Sequence, residues 1–335
     1  MPSCAAGFGP VSGLMAQTKP SPEAQDLADL KALIARMRSG ERRATSRAVT
    51  ELERLSSVAP RLLEAMQPHL GHALVIGFTG PPGAGKSTLI NAYTEHLRAH
   101  GKTVGIIAVD PSSPISGGAI LGDRIRMTAT LDDDGVFMRS LASRGHLGGL
   151  CPAAVRVIDA FDAAGKDIIL LETVGTGQTD IDIAEVADVR VVITAPGLGD
   201  DIQAMKSGLL EIADVLVVNK GDREVAERTL QHLKGALSLK ADARGKVPVL
   251  KVTAATGSGV PAMSDAIDEV GVRVVAGGAQ ARRRRRARYL IARAAADLVA
   301  ERIRLGQGAT LDDLADAVLA GAILPADAAA KLIGS

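Results

Sequence analysis

The sequence predicts an α/β fold, a mainly parallel sheet flanked by helices, with a helical extension at each end. Three observations carry that expectation. Between Leu74 and Thr253, six short β-branched apolar runs alternate with stretches of helical periodicity. Strands that are apolar almost throughout belong to sheets covered on both faces, which is the arrangement of parallel sheets with crossover helices. Outside that interval, apolar residues recur three or four positions apart, as on one face of a helix.

The elements follow in order. Residues 1–21 hold Gly, Pro and Ser with Lys19 as the sole charged side chain. This is neither a basic segment leading into an apolar stretch nor an arginine-rich amphipathic one, so it reads as a disordered extension rather than a targeting peptide. Residues 22–72 form an N-terminal helical segment: Leu27, Leu30, Leu33, Ile34 and Met37 share one face, Gly40 breaks the pattern, and two short helices are expected up to Leu55. Residues 73–270 form the main domain, with strands at Leu74–Phe78, Val104–Val109, Asp167–Leu171, Val189–Thr194, Val215–Val218 and Val249–Val252. In open parallel sheets ligands sit beyond the carboxyl ends of the strands, and several of these runs end in Gly or Pro there. Residues 271–335 form a C-terminal helical arm that opens with Gly271, Gly277, Gly278 and the arginine run Arg282–Arg286.

Composition removes several function classes. With 47% hydrophobic and 23% charged residues among 335, the chain holds enough apolar side chains for a sizeable core. Aromatic residues make up only 2%, so aliphatic side chains must fill that core and stacking platforms for single-stranded nucleic acid are lacking. A net charge of +1 gives no global attraction to nucleic acid or an anionic membrane. No apolar run approaches the ~20 residues of a membrane span. Two cysteines, Cys4 and Cys151, supply no disulfide framework, and the six histidines read as scattered rather than as ligand pairs, which suits a cytoplasmic setting.

The strongest motif follows the first strand. Gly80-Pro81-Pro82-Gly83-Ala84-Gly85-Lys86-Ser87 is G-x-x-x-x-G-K-S in its required context of strand, loop and helix, which marks a P-loop NTPase. Glycines let successive N–H groups turn inward toward a phosphate, and the helix N-terminus adds partial positive charge. Lys86 reaches the β- and γ-phosphates, and Ser87 offers a hydroxyl to Mg2+, a hard cation that takes oxygen ligands.

Two further strand ends supply the base and metal partners. Val215–Val218 runs into Asn219-Lys220-Gly221-Asp222, which looks like the guanine-recognition motif of GTPases. A carboxylate at Asp222 accepts from both N1–H and the exocyclic amine of guanine, and a buried acceptor left unmatched by adenine costs roughly 1–3 kcal/mol. GTP is therefore favoured over ATP. Thr253, Ala254 and Ala255, ending the next strand, resemble the short loop that closes over guanine in such proteins. Glu172-Thr-Val-Gly175 ends the strand Asp167–Leu171 where P-loop enzymes hold Mg2+ through an acid and sense the γ-phosphate with a backbone N–H. Ordinary GTPases usually carry Asp where Glu172 stands. Asp110 ends a second strand on the same edge and can face the metal or the attacking water; for both acids the plain alternative is a helix cap or a solvated turn.

Five segments together resemble one family. Asp110-Pro-Ser-Ser-Pro114, Gly117 to Met127, Ser143 to Gly149, Glu172 to Gln178 and Pro196 to Gly208 are similar to the MeaB/ArgK group of GTPases, chaperones of adenosylcobalamin-dependent methylmalonyl-CoA mutase and related acyl-CoA mutases. The resemblance runs from about Pro22 to the C-terminus. It implies a homodimeric GTPase domain whose C-terminal arm contributes to the dimer, with Mg2+-dependent hydrolysis of GTP to GDP that rises when the mutase is bound. On that basis Gly80 to Thr88 hold the phosphates, Ser87, Asp110, Asp123 and Glu172 surround Mg2+, and Asn219, Lys220 and Asp222 read guanine. Gln203 and Lys206 fall in a family switch region that reorganises on partner binding and brings a cation to the phosphates; the alternative is an ordinary solvated helical face. Asp201, Gly221 and Cys151 depart from the family pattern without removing a functional group. His146, between glycines, lacks a second ligand at pair spacing and reads as structural.

Two other functions use the same fold. A metal-insertion GTPase would call for a His-rich tail or paired Cys and His near the switch loops, and a P-loop kinase of the arginine/ornithine-transport type for an acceptor pocket and an arginine-bearing lid; neither set is found in the sequence. The run Arg282–Arg286 lacks interleaved aromatics and sits in a chain of near-zero net charge, so it reads as a solvated or dimer-flanking helix rather than a nucleic-acid site.

Overall fold

Strands β1 (Leu74–Thr79), β2 (Val104–Asp110), β3 (Val136–Ala142), β4 (Ile168–Glu172), β5 (Val189–Thr194), β6 (Val215–Val218) and β7 (Val249–Lys251) form one sheet. Their order is β3-β2-β4-β1-β5-β6-β7, and every adjacent pair is parallel. The computed structural model describes residues 22–110, 133–142, 152–173, 178–197, 209–239, 247–304 and 309–334. Helices α1 (Pro22–Arg38), α2 (Arg42–Arg54) and α3 (Ala59–Met66) precede the sheet; α4 (Lys86–Ala99), α5 (Pro152–Ala163), α6 (Gln178–Val186), α7 (Leu209–Ile212), α8 (Ala226–Leu239) and α9 (Val260–Ala276) accompany it. Helices α10 (Ala279–Arg304), α11 (Ala309–Leu319) and α12 (Pro325–Gly334) follow.

The predicted sheet and both helical extensions are present, with two additions. Strand β3 escaped the sequence reading because Arg139 and Ser140 interrupt its apolar run. It is the edge strand next to β2, and α2 lies over it: Arg139 pairs with Glu53, and Arg42 donates to the Val136 carbonyl at 2.8 Å while its guanidinium sits 5.6 Å from the Phe137 ring centre. A polar residue in a strand is tolerated where the covering layer supplies its partner. The third N-terminal helix, α3, begins with Pro60 in its first turn, a position where proline supports a helix instead of stopping one.

Each sheet face has its own core. On one, α1 to α3, α5 and α6 bury Met37, Leu52, Leu62, Met66 and Phe161 against β1, β2 and β4. On the other, α4 and α9 enclose Ile76, Phe78, Leu89, Ile90, Tyr93 and Ile106. Helix α8 covers the β5, β6 and β7 end through Leu230 and Leu233. Both cores are largely aliphatic, as the composition required.

The structure corrects two sequence readings. The arginine run is not a solvated surface: Arg282 and Arg286 are only 6% and 4% exposed, and with Arg285 they converge on Asp188, whose side chain is fully buried. The run lies in helix α10, and positions 282, 285 and 286 share the face that packs on α6, so a linear charge count could not separate them from Arg283 and Arg284. The histidines are not all scattered either. His96, in the last turn of α4, and His100, which caps that helix, lie one turn apart with ring centres at 4.4 Å, and burial, then its neighbour His100, pulls His96 below the ordinary imidazole range. Among the described residues no group of three or more His, Cys, Asp or Glu is arranged to hold a metal ion, and no helix is long and apolar enough to cross a membrane.

Candidate functional site

The register of the sheet assembles the site. Glu172 is level with Phe78 of β1 and Ala108 of β2, so the chain leaving β1 at Gly80, the acid ending β4 and the backbone of Asp110 all reach the same carboxyl edge. On the other side, Thr194 of β5 pairs with Val218 of β6 and Val218 with Lys251 of β7, which delivers Asn219 and the 252–255 turn to that edge as well.

The loop from Gly80 to Gly85 is shaped by contacts that exclude side chains. At Gly80, φ is +145° and a Cβ would stand 2.0 Å from the Ile193 carbonyl oxygen. Gly85 enters α4 at φ +86°, and a Cβ there would meet the Asn219 amide at 2.5 Å. Pro82 and Gly83 are exposed, Pro81 is half-buried and Ala84 is packed into the core. Lys86 and Ser87, the first two residues of α4, are 8% and 9% exposed, whereas Thr88 faces solvent. The Lys86 ammonium donates to the carbonyls of Gly80 at 2.9 Å and Pro81 at 3.2 Å, so it is held over the loop. The Ser87 hydroxyl donates to Glu172 Oε1 at 2.7 Å. A hydroxyl beside a carboxylate is an all-oxygen donor set, which suits a hard divalent cation at phosphate.

The Asn219-Lys220-Gly221-Asp222 segment turns over the same loop. Asn219 is 2% exposed; its amide donates to the carbonyls of Ala84 at 2.9 Å and Gly85 at 3.3 Å, and its Oδ1 accepts the Ala254 N–H at 3.1 Å. Lys220 adopts a left-handed conformation, φ +55°, and its ammonium reaches the Gly83 carbonyl at 2.8 Å. Few non-glycine residues take that conformation. Asp222 is exposed at the turn. Gly221, a departure from the family pattern, fits a crowded place: a Cβ would lie 2.7 Å from Lys251 Cγ. Beyond β7, Thr253 bridges Ser258, Ala254 is buried and Ala255 is exposed, so the turn is closed on itself with its inner N–H taken by Asn219.

Thus the phosphate loop, Lys86, Ser87, Glu172, Asn219, Lys220 and the 253–255 turn are brought together. The side chain of Asp110, and Asp123, Gly175, Gln203 and Lys206, lie outside the described residues. The motif reading missed how Asn219 ties three loops. It also missed Arg223, which donates to the Pro196 carbonyl at 3.3 Å and so fixes where the chain leaves β5.

Residues 45–307 match the family model described as methylmalonyl-CoA mutase-associated GTPase MeaB. The chain belongs to the MeaB family of GTPases. It hydrolyses GTP and binds guanine nucleotide accordingly. Among relatives of this MeaB-family GTPase, a Pyrococcus abyssi protein that carries a provisional GTPase name is 47% identical over 241 residues, spanning 71% of this chain and 74% of its own. The Escherichia coli GTPase ArgK is 42% identical over 199 residues, 58% of this chain and 60% of its own. A crystal structure described as an LAO/AO transport system kinase superposes with a TM-score of 0.71 at 26% identity, covering 91% of the MeaB-family chain and 96% of the other. The P-loop architecture of the family is therefore shared along nearly the whole length, including helices outside the sheet.

Proposed function

We propose that this GTPase is a chaperone of an adenosylcobalamin-dependent acyl-CoA mutase of the methylmalonyl-CoA mutase type, gating cofactor loading or protecting the loaded enzyme. The observation that carries the proposal is the extent of the family match, which runs from helix α2 through the entire sheet and along α10. The mutase interaction, the homodimer formed through the C-terminal arm, the division at residues 72/73 and 270/271, the lack of nucleic-acid and membrane partners and the cytoplasmic location are parts of the same proposal.

In the nucleotide site, Gly80 to Thr88 receive the phosphates, with Lys86 released from the Gly80 and Pro81 carbonyls to the β- and γ-phosphate oxygens. Ser87 and Glu172, joined by Asp110 and Asp123, hold Mg2+. Magnesium, when bound, neutralises charge that builds on the phosphate oxygens as the γ-phosphoryl group leaves. Asp222 reads guanine, Asn219 and Lys220 hold the phosphate loop in register with the base, and Thr253 to Ala255 close the base edge. Gly175 senses the γ-phosphate through its N–H. Gln203 and Lys206 move when the mutase binds, and a lysine brought to the phosphates only in that complex stabilises the transition state more than the ground state.

The test is kinetic. GTP turnover by the purified protein should be slow and should accelerate on adding the cognate mutase, with the two proteins co-eluting in the presence of a non-hydrolysable GTP analogue. A mutase that neither changes the rate nor co-elutes removes the chaperone reading.

A further inference from the structure

The turn that carries Asp222 hangs from two strand ends. The Asn219 N–H donates to the Thr194 carbonyl of β5 at 2.8 Å, and the Gly221 N–H donates to the Val252 carbonyl, just beyond β7, at 3.0 Å. The turn closes with the Arg223 N–H on the Lys220 carbonyl at 3.1 Å. Asp222 is the next residue after Gly221, so its place follows from how near Gly221 comes to the end of β7. That approach leaves no room for a side chain: a Cβ on Gly221 would stand 2.7 Å from Lys251 Cγ, 3.1 Å from the Val252 carbonyl oxygen and 3.3 Å from Thr253 Oγ1. Gly221 is not among the glycines of positive φ, so contact rather than backbone conformation excludes a Cβ here.

Lys251 is held where it crowds that glycine. Its ammonium lies 3.1 Å from Oε2 of Glu227 in the first turn of α8, so the methylene stem runs from β7 toward α8 and passes Gly221 at its Cγ. Both side chains are exposed, and such an ion pair contributes little energy by itself; what counts is the stem that it keeps in place. The backbone of Lys251 has no room to retreat either. Gly259, at φ +82°, would put a Cβ 2.4 Å from the Lys251 carbonyl oxygen and 3.2 Å from Val252 Cα. The end of β7 is thus wedged between two glycines, one of which leads directly into Asp222.

We propose that Gly221 and Lys251 are positioning residues that determine base specificity: the bare Cα of Gly221 seats the turn against the Lys251 stem, and that depth aims the Asp222 carboxylate at the N1–H and exocyclic amine of guanine. The inference rests on the reading of Asp222 as the guanine reader. Neither residue of the pair contacts the base through its own side chain. A Cβ at 221 lifts the turn off β7 and moves the carboxylate with it, while the phosphate loop, braced through Asn219 and Lys220, keeps its shape.

The experiment uses the full chain with Gly221→Ala, Lys251→Ala, Lys251→Met and the double variant Gly221→Ala/Lys251→Ala, measuring the Kd of GDP, the Kd of inosine diphosphate, which lacks the exocyclic amine, and Tm without nucleotide. Gly221→Ala should weaken GDP about tenfold and inosine diphosphate less than about threefold, because a displaced carboxylate loses two donors of the first base and one of the second. In the double variant the methyl enters the room that the stem vacates, so GDP affinity should return to within about threefold of the wild type; a second substitution that repairs the first is a coupling expected only of residues in contact. Lys251→Met, which keeps the stem without the charge, should recover most of the preference for GDP that Lys251→Ala loses. A wild-type preference in Gly221→Ala overturns the proposal, as do additive losses in the double variant, or equal weakening of both nucleotides with a lowered Tm. If Gly221→Ala does not fold, Lys251→Ala against Lys251→Met carries the test, and an unchanged preference in Lys251→Ala overturns it. Asp222→Asn separates the two ideas: if it does not move preference toward xanthosine diphosphate, the base reading fails; if it does while Gly221→Ala keeps the wild-type preference, only the positioning role fails.

Discussion

Asn219→Ala distinguishes a residue that reads a base from one that braces a loop. Asn219 makes three hydrogen bonds, a buried and a half-buried one from its amide to the Ala84 and Gly85 carbonyls and a buried one to its Oδ1 from the Ala254 N–H. Truncation leaves the Ala254 N–H, on a residue only 7% exposed, without its acceptor. An orphaned buried donor costs about 1–3 kcal/mol, and each lost hydrogen bond to a carbonyl about 1 kcal/mol net, so the variant should lose roughly 3 kcal/mol even without nucleotide. For a domain of this size that is a fall of about 6–12 °C in Tm. Thermal unfolding followed by circular dichroism in nucleotide-free buffer reads it directly, and a GDP titration gives the accompanying loss of affinity. Asn219→Asp should behave almost as badly, since it keeps an acceptor for Ala254 but turns a carboxylate toward two carbonyl oxygens. If Asn219→Ala binds GDP weakly yet melts with the wild type in the absence of nucleotide, Asn219 acts on the base alone and the brace is refuted.

Three further outcomes follow from the same geometry. Asp222→Asn should shift preference from GTP toward xanthosine triphosphate, because the amide now presents a donor to the base edge; retained GTP preference in competition binding would remove Asp222 as base reader. Lys86→Ala should abolish detectable phosphate release, since the loop loses the ammonium now held by the Gly80 and Pro81 carbonyls, and undiminished turnover would rule out its phosphate role. Burial pushes Asp159 of α5 up to about 6 from 3.8, against the pull of Arg286, Arg156 and Arg283. A carboxyl whose folded pKa is raised stabilises the fold below its unfolded pKa, and that contribution is lost as pH rises through 6. The shift corresponds to about 3 kcal/mol at most, because Asp159 keeps partial contact with water. Asp159→Asn should therefore gain in Tm relative to the wild type between pH 4 and pH 7.5, and a constant difference across that range would contradict the assignment.

The parts of the fold that were legible in the sequence are those where one signal sufficed. Strands buried on both faces announce themselves as apolar runs, and the phosphate loop is a local motif whose glycines are dictated by backbone crowding. Strand β3 was hidden because its partners, Glu53 and Arg42, come from another layer, and hydrophobic patterning carries no information about them. The solvated reading of the arginine run failed for a related reason: local composition describes five like charges, whereas the pairing of Arg282, Arg285 and Arg286 depends on a carboxylate at Asp188 some hundred positions away. Asn219 was found by its motif, but its three partners lie on two other loops, so the motif gave the residue and not its bonds.

At the amino edge of the sheet, aspartates fasten the starts of the strands. Asp167, Asp188 and Asp214 each stand immediately before a strand, β4, β5 and β6 in turn. Each accepts the N–H at the start of the neighbouring strand: Asp167 from Thr103 at 2.7 Å, Asp188 from Val75 at 3.1 Å and Asp214 from Arg190 at 2.9 Å. Parallel neighbours leave N–H groups unpaired where they begin, and a carboxylate at that point satisfies one of them and fixes the register at the same time. Asp162 does the same for the approach to β1, taking the N–H groups of Gly71, His72 and Ala73. These four acids therefore fasten strands at the amino edge of the sheet, while Lys86 and Lys220 stand over the phosphate loop at the carboxyl edge, beside Glu172. A net charge of +1 conceals this division. These aspartates are spent on strand ends at the amino edge and so do not oppose Lys86 and Lys220 at the phosphate loop, a placement that no count summed over the whole chain reveals.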